Sequence, residues 1–303
     1  MLMPAAFTLA GMSIDFPALP DSVSVDRVEV APDVELRVLR AGAGSPVVFV
    51  PGWNFSAEVF VHQLTGLADA HEVIAVDPRG HGESSKPLTG NSFPQRGRDL
   101  AALLAALDLR NVTLAGWSFG VLDVLSALEV DGADDRVARL ILIDEPPRVP
   151  FDPANAAEWG EAALSHDGLP AYVKFLSTDR QGFLEYIAAD ALGVAAEDAA
   201  GEPAVAKLVA DGARTPEHIA IITGVEGLAT DLSAPAVAFD ASGRPLLFLA
   251  QEAWADDARR WVTANLPHAE FATIPVHAGF LTEPEPFNAR VREFLASEPR
   301  ARS

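Results

Sequence analysis

The sequence predicts an α/β fold with a mostly parallel, eight-stranded sheet that is flanked by helices. Short apolar runs, typical of strands buried on both faces, alternate along the chain with longer stretches that are typical of helices. Two of these runs lead directly into glycine-containing turns, at residues 51–53 and 116–120. The alternation stops over residues 148–243, where only helical patterns occur, and then resumes. These observations indicate one sheet domain that carries a helical insertion.

The strands and helices can be placed in order from their patterns. Val25 to Val30 and Val34 to Leu39 flank the turn Ala31-Pro32-Asp33, which predicts an opening antiparallel hairpin. The remaining strands are predicted at residues 46–50, 71–76, 112–115, 138–143, 245–249 and 270–275. Helices are predicted at residues 56–70, 99–109, 121–128, 154–164, 169–176, 183–192, 216–228, 255–266 and 284–295.

This order of elements predicts the division of the chain into domains. We expect an N-terminal extension at 1–24, a core formed by 25–147 and 244–298, a helical cap or lid at 148–243 and a short tail at 299–303. The extension is apolar, but no Lys or Arg precedes its apolar residues, so it lacks the basic start of a signal peptide. No apolar run reaches the roughly 18 residues that would be needed to span a bilayer.

Composition limits the classes of partner. The 303 residues include 43 acidic and 22 basic side chains, and the formal net charge is −21. This charge argues against nucleic acid or an anionic membrane surface as a partner, and favours a neutral or hydrophobic small molecule. The absence of cysteine excludes disulfides, thiolate metal sites and a cysteine nucleophile, and fits a cytoplasmic location. No spacing of His, Asp and Glu predicts a metal site, and no phosphate-binding loop follows the first strand, so we expect neither a metal nor a cofactor.

The segment Gly116-Trp117-Ser118-Phe119-Gly120 is the strongest candidate for a catalytic element. It follows a buried strand and precedes an apolar helix, so Ser118 stands at the apex of a sharp strand-to-helix turn. The flanking glycines suit a strained backbone to which neighbouring elements pack closely. We therefore predict that Ser118 is a nucleophile.

A serine nucleophile needs a histidine to accept its proton and a carboxylate to orient that histidine. Among the seven histidines, His277 directly follows the last predicted strand, in the loop that leads to the terminal helix. Reactive groups converge at strand ends in open parallel sheets, which makes His277 the predicted base.

With these motifs in place, the chain resembles the α/β-hydrolase superfamily, and within it the capped serine hydrolases of esterase or lactonase type. The resemblance rests on four segments: PGW at 51–53, DPRGHGES at 77–84, GWSFG at 116–120 and HAGFLTEPEPFN at 277–288. It implies an α/β-hydrolase fold, Ser118 as nucleophile and His277 as base, in the chain order serine, acid, histidine. It also implies an oxyanion hole formed by the backbone N–H groups of Trp53 and Phe119.

The acid departs from the usual pattern of the family. Most relatives carry it after the penultimate strand, where this chain has PLLFLAQEAWADD, and the nearby carboxylates there are out of register: Glu252, Asp256 and Asp257. A minority of the family, including zearalenone-type lactonases, carries a glutamate after the sixth strand, which is similar to Glu145 in Asp144-Glu145-Pro146-Pro147. We therefore predict Glu145 as the acid, with Asp144, Asp123 and a carboxylate after the seventh strand, such as Asp256, as the alternatives.

The predicted function is hydrolysis of a carboxylic ester or lactone through an acyl-enzyme, without a cofactor. The same residues would serve a C–C bond hydrolase or a cofactor-free haloperoxidase or perhydrolase, and the fold also occurs in ligand-binding proteins without turnover. Aromatic residues of the insertion suggest an apolar pocket, namely Trp159, Tyr172, Phe175, Phe183 and Tyr186. In the turn after the fourth strand, Asp77 and Arg79 are expected to pair with each other. The oligomeric state is not predicted.

Overall fold

The computed structural model describes residues 14–149, 152, 154, 158 and 167–297. Apart from residues 154 and 158, the predicted helix at 154–164 therefore lies outside the described residues, and so does Trp159. Within the described ranges, no helix is long and apolar enough to cross a membrane. The strands are β1 (Ser24–Ala31), β2 (Val34–Gly42), β3 (Ser45–Val50), β4 (His71–Val76), β5 (Val112–Trp117), β6 (Val137–Ile143), β7 (Leu246–Gln251) and β8 (Glu270–Ile274).

Helices flank the strands and fill the region between β6 and β7. They are α1 (Val61–Gly66), α2 (Phe93–Ala106), α3 (Gly120–Leu128), α4 (Leu169–Thr178), α5 (Arg180–Ala191), α6 (Pro203–Gly212), α7 (Glu217–Gly227), α8 (Ser233–Ala241), α9 (Ala255–Asn265), α10 (Gly279–Thr282) and α11 (Pro284–Ala296).

The eight strands form one sheet in the order β1-β2-β4-β3-β5-β6-β7-β8. The first two strands pair antiparallel, and β2 is antiparallel to β4, whereas all pairs from β4 to β8 are parallel. This confirms the predicted eight-stranded, mostly parallel fold. The central strand β3 contributes to both sides of the sheet: Val48 and Val50 pack in one hydrophobic core, and Val47 and Phe49 pack in the other. This alternation explains its continuous apolar sequence.

The segment between β6 and β7 contains five helices among its described residues, α4 to α8. The sequence predicted α4, α5 and α7, but α6 and α8 were missed. The helix α8 is rich in alanine, which contributes little to a hydrophobic periodicity even though it favours helix. The helix α6 does carry a helical period, in Val205, Leu208 and Val209. The helices are fastened to the core by buried polar contacts: Trp53 Nε1 donates to the Ala220 carbonyl (2.9 Å), and Ser56 Oγ donates to Asp211 (2.8 Å). The division into core and cap stays a prediction.

The turn after β4 is held by contacts that differ from the expected Asp77–Arg79 pair. The buried Asp77 carboxylate accepts hydrogen bonds from the backbone N–H groups of Ala57 (2.6 Å) and Glu83 (2.7 Å). Arg79 instead makes a two-pronged bond to Asp99 of α2, at 2.5 and 2.7 Å. The planar guanidinium matches both carboxylate oxygens, so this geometry is favoured over a single contact with Asp77.

A second buried pair, Arg96 and Asp123, predicts a pH dependence of stability. Their side chains are 2.6 Å apart, and desolvation raises the Asp123 pKa from the usual 3.8 to about 7 despite the nearby guanidinium. Between those two values the folded state holds a proton that the unfolded state has lost, so the free energy of unfolding should fall as the pH rises from about 4 to about 7.

The contribution of Asp123 can be isolated by comparing wild type with Asp123→Asn in urea denaturation at several pH values between 4 and 8. The asparagine variant cannot titrate, so the difference in unfolding free energy between the two proteins should change through this range, by at most about 1.4 kcal/mol per pH unit. Parallel pH profiles for the two proteins would show that Asp123 keeps an ordinary pKa.

Candidate active site

Ser118 stands at the predicted strand-to-helix turn, directly after β5. Its backbone φ of 52° lies in the left-handed region, which residues other than glycine rarely adopt. A Cβ at Gly116 would come within 2.4 Å of the Gly120 carbonyl oxygen, and a Cβ at Gly120 within 2.3 Å of the Val50 carbonyl oxygen. The two glycines are therefore required because backbone lies against backbone on both sides of the serine.

The register of the sheet brings Asp144 next to Ser118. Trp117 of β5 is paired with Ile143 of β6, and the Ser118 N–H donates to the Ile143 carbonyl at 2.9 Å. Asp144 follows Ile143 directly, also with a left-handed φ, of 54°. The two residues are thus equivalent positions at the carboxyl ends of adjacent parallel strands.

Asp144 is bonded to His277. Its Oδ2 atom lies 2.6 Å from His277 Nδ1, and the carboxylate is 1% exposed. Donors at the end of β7 complete its surroundings, with Gln251 donating through its backbone N–H (2.7 Å) and its side chain (2.8 Å), and Trp254 donating through Nε1 (3.0 Å). The histidine loop is itself anchored, because Trp117 Nε1 donates to the His277 carbonyl at 2.9 Å. With Nδ1 bonded to the carboxylate, Nε2 is the nitrogen left to face a reacting group.

The carboxylate on His277 Nδ1 belongs to Asp144 and not to the predicted acid, Glu145. Asp144, which the sequence analysis kept as an alternative, takes the position on Nδ1, whereas Glu145 Oε2 lies 3.4 Å from Ser118 Oγ. Asp144 also meets the donors at the end of β7. The other carboxylates considered are elsewhere: Asp123 is paired with Arg96, and three residues after β7 are on the surface, namely Glu252, Asp256 and Asp257.

The two residues of the predicted oxyanion hole line the same cavity as Ser118. Trp53 follows β3 after the Pro51-Gly52 turn, and Phe119 is the residue after the serine, at the start of α3. A Cβ on Gly52 would lie 2.8 Å from the Ser118 Cβ and 3.3 Å from its Oγ, so the glycine allows this loop to approach the serine. The loop therefore lies close enough to Ser118 for a backbone donor to reach a group bound there.

The cavity above Ser118 has a volume of about 80 Å³. Its wall combines core residues with residues of α4 and α5, which agrees with the aromatic pocket that the sequence predicted. Phe175 contributes indirectly, because its ring packs against Phe183 at a centroid distance of 5.2 Å. The lining includes Trp53, Phe55, Phe119, Tyr172, Phe183, Tyr186 and Ile187 as its larger apolar and aromatic side chains.

The cavity contains one further carboxylate, Asp190, that the sequence does not single out. Asp190, near the end of α5, lines the cavity together with Ser118, Glu145 and His277. Burial raises the Asp190 pKa, while the nearby His277 acts to lower it. Its sequence context, Ala188-Ala189-Asp190-Ala191, contains no signal that distinguishes it from an acidic residue on the surface of a helix.

Comparison with known proteins agrees with this architecture. A family model described as the alpha/beta hydrolase fold matches residues 45–199, just over half of the chain. Over 108 residues the chain is 43% identical to a non-heme chloroperoxidase from Streptomyces lividans, in a match that covers 35% of this chain and 38% of that protein. The chain thus spans well under half the length of this relative.

Solved structures match over a much larger part of the chain. A bromoperoxidase from Bacillus anthracis superimposes with a TM-score of 0.77 at 22% identity, covering 90% of this chain and 100% of the other. An esterase from Exiguobacterium antarcticum gives a TM-score of 0.76 at 21% identity, with 90% and 100% coverage. At these identities the similarity concerns the fold.

Proposed function

Since this chain belongs to the alpha/beta hydrolase fold family, we propose that it is a serine hydrolase that cleaves a carboxylic ester or lactone through an acyl-enzyme. The observation that carries the proposal is the Asp144–His277 hydrogen bond of 2.6 Å beside a serine held at a strained turn. A buried carboxylate on Nδ1 fixes the tautomer and stabilises the imidazolium that forms when Nε2 accepts a proton. The proposed triad is therefore Ser118, Asp144 and His277.

In the first half-reaction, His277 Nε2 takes the proton of Ser118 Oγ as the oxygen attacks the carbonyl carbon of the substrate. The electrons of the carbonyl π bond move to the carbonyl oxygen, which becomes an oxyanion. The backbone N–H groups of Trp53 and Phe119 are proposed to stabilise it. When the carbon–oxygen bond of the ester breaks, His277 returns the proton to the leaving alkoxide. The products of this half-reaction are an alcohol and an ester on Ser118.

The second half-reaction repeats these steps with water. His277 accepts a proton from water as its oxygen attacks the acyl carbon, and the proton then passes to Ser118 Oγ as the free acid leaves. We propose that the helices between β6 and β7 act as a cap in both half-reactions. Their side chains cover the serine, so they would limit the access of bulk water and select the acyl group.

A second candidate is perhydrolysis, which the similarity to proteins named chloroperoxidase and bromoperoxidase favours. In that reaction hydrogen peroxide replaces water as the attacking group, and the acyl-enzyme is converted to a peracid instead of an acid. Every other step is the same, because the peroxide proton also passes through His277 to Ser118. The choice between the two acceptors depends on the surroundings of the acyl carbon.

The proposal is tested with p-nitrophenyl esters of increasing acyl length and a lactone, assayed with wild type and Ser118→Ala. We expect repeated turnover by wild type and a decrease of several orders of magnitude in kcat for the variant. A fluorophosphonate should phosphonylate wild type once, at Ser118, with loss of fluoride, so that the protein gains the mass of the reagent less HF, and it should leave the variant unlabelled.

Other outcomes separate the alternatives. A burst of one equivalent of p-nitrophenol without further turnover would favour a ligand-binding protein. Peracid formation from acetate and hydrogen peroxide that exceeds ester hydrolysis would favour the perhydrolase. Undiminished turnover by Ser118→Ala would refute the serine mechanism.

A further inference from the structure

The cavity beside Ser118 carries two carboxylates that the proposed triad does not use. Glu145 is 4% exposed, and its Oε2 atom lies 3.4 Å from Ser118 Oγ. The second carboxylate is that of Asp190, which lies on α5 and also lines the cavity. Acyl transfer develops negative charge on the substrate, so carboxylates in this position would repel that charge and raise the barrier. Their presence is therefore expected to serve another role.

Asp190 is only partly buried, and no basic side chain among the described residues is paired with it. Its carboxylate lines the cavity, and partial burial there raises its pKa, which indicates that the charge is incompletely solvated. Buried carboxylates are usually compensated by a cation or by several donors. A cationic group of a ligand in the cavity would supply that compensation.

The aromatic side chains of the cavity suit the same kind of ligand. Phe183 is packed edge to face against Trp53 (5.1 Å between centroids) and Tyr172 (5.0 Å), which fixes the orientation of the three rings. Aromatic faces attract organic cations, and they do so more strongly where water is excluded. The carboxylates and the aromatic rings therefore both favour a positively charged group on the ligand, and they disfavour an anionic acyl group.

From this arrangement we propose that the substrate carries a protonated amine on its acyl side, and that Glu145 and Asp190 bind this ammonium group. The inference rests on the proposed function. The distance of 3.4 Å between Glu145 and the serine oxygen places the carboxylate within reach of an amine on the first or second carbon after the carbonyl. The volume of about 80 Å³ limits the acyl group to a few heavy atoms. The predicted substrate class is thus a short aminoacyl ester.

The test compares three ethyl esters of similar shape, in which the terminal group is an ammonium, a methyl or a carboxylate group: β-alanine ethyl ester, ethyl butyrate and monoethyl malonate. For wild type we expect kcat/KM to decrease in that order, with the ammonium ester preferred over the methyl ester about tenfold or more. This factor is what a charge-assisted hydrogen bond typically contributes. Equal values for the first two esters, or preference for the malonate, would overturn the proposal.

Variants show whether the preference comes from these carboxylates. The ratio of kcat/KM for the ammonium ester to that for the methyl ester should fall about tenfold in Asp190→Asn and in Glu145→Gln. The ratio compares two esters with the same protein, so a change in overall activity cancels. The intrinsic reactivity of the two esters cancels when the ratio of a variant is compared with that of wild type. Glu185→Gln is the matched control, since Glu185 lies on the same helix but is exposed and bonded to Gln181 (2.8 Å), and its ratio should equal that of wild type. A ratio unchanged in Asp190→Asn and Glu145→Gln would refute the assignment.

A binding measurement separates this inference from the proposed function. If wild type hydrolyses ethyl butyrate but shows no preference for the ammonium ester, the hydrolase proposal stands and the inference fails. If it hydrolyses none of these esters, and neither the p-nitrophenyl esters nor the lactone, the hydrolase proposal fails, and titration calorimetry of Ser118→Ala with n-butylammonium and with 1-butanol decides the inference. Tighter binding of the cation, lost in Ser118→Ala/Asp190→Asn, would support it, and equal binding of the two would overturn it.

Discussion

Replacement of Asp144 by asparagine is expected to lower kcat for ester hydrolysis by about 10⁴-fold, the effect of this change in other serine triads. Both Asp144 oxygens already accept two donors each, so either orientation of an asparagine amide would bring its NH₂ group against N–H donors. In the orientation that faces His277, the NH₂ group forces the imidazole to accept at Nδ1. Nε2 then carries the proton and cannot act as the base.

Steady-state kinetics of Asp144→Asn and Glu145→Gln with a neutral p-nitrophenyl ester will check this assignment. Glu145→Gln also removes one carboxylate charge, at the neighbouring residue. We expect its kcat to fall by far less than that of Asp144→Asn. Circular dichroism and the unfolding midpoint of both variants establish that the fold is retained. If Glu145→Gln were the more damaging change, Glu145 would be the acid that the sequence analysis predicted.

Replacement of Gly52 by alanine is expected to reduce kcat about 100-fold in a protein that remains folded. The new methyl group would lie 2.8 Å from the Ser118 Cβ and 3.3 Å from its Oγ, which is closer than such contacts normally are. Either the serine or the loop that bears Trp53 must shift, and a displacement of about 1 Å in the reacting groups can cost a factor of about 10². The measurement is kcat for a p-nitrophenyl ester together with the rate of fluorophosphonate labelling.

Gly201→Ala is the control for this substitution. A Cβ at Gly201 would meet no atom within 4 Å, and the residue has no left-handed φ, so the variant should match wild type in kcat and stability. Gly52→Ala with wild-type kcat would mean that the Trp53 loop can move away without loss of oxyanion stabilisation. The backbone N–H of Trp53 would then be excluded as a necessary donor.

Much of the fold could be predicted because its signals are local. A strand buried on both faces must be continuously apolar, and β3, β6 and β7 carry such runs. Their alternation with helices then requires parallel pairing. The alanine-rich helix α8 was missed because it buries mostly small side chains without a clear period of large ones, whereas α6 was missed although Val205, Leu208 and Val209 recur at helical spacing.

The sequence by itself determined where Ser118 and His277 lie, because Ser118 directly follows β5 in a glycine-flanked turn and His277 lies in the loop shortly after β8. For the acid it favoured Glu145 over Asp144, although the two residues share the same strand end. Only the tertiary structure decided that Asp144 meets His277, since the choice depends on side-chain direction at a left-handed residue and on hydrogen-bond donors from Gln251 and Trp254. Those donors are more than 100 residues away in the chain, and only the pairing of β6 with β7 brings them to the site.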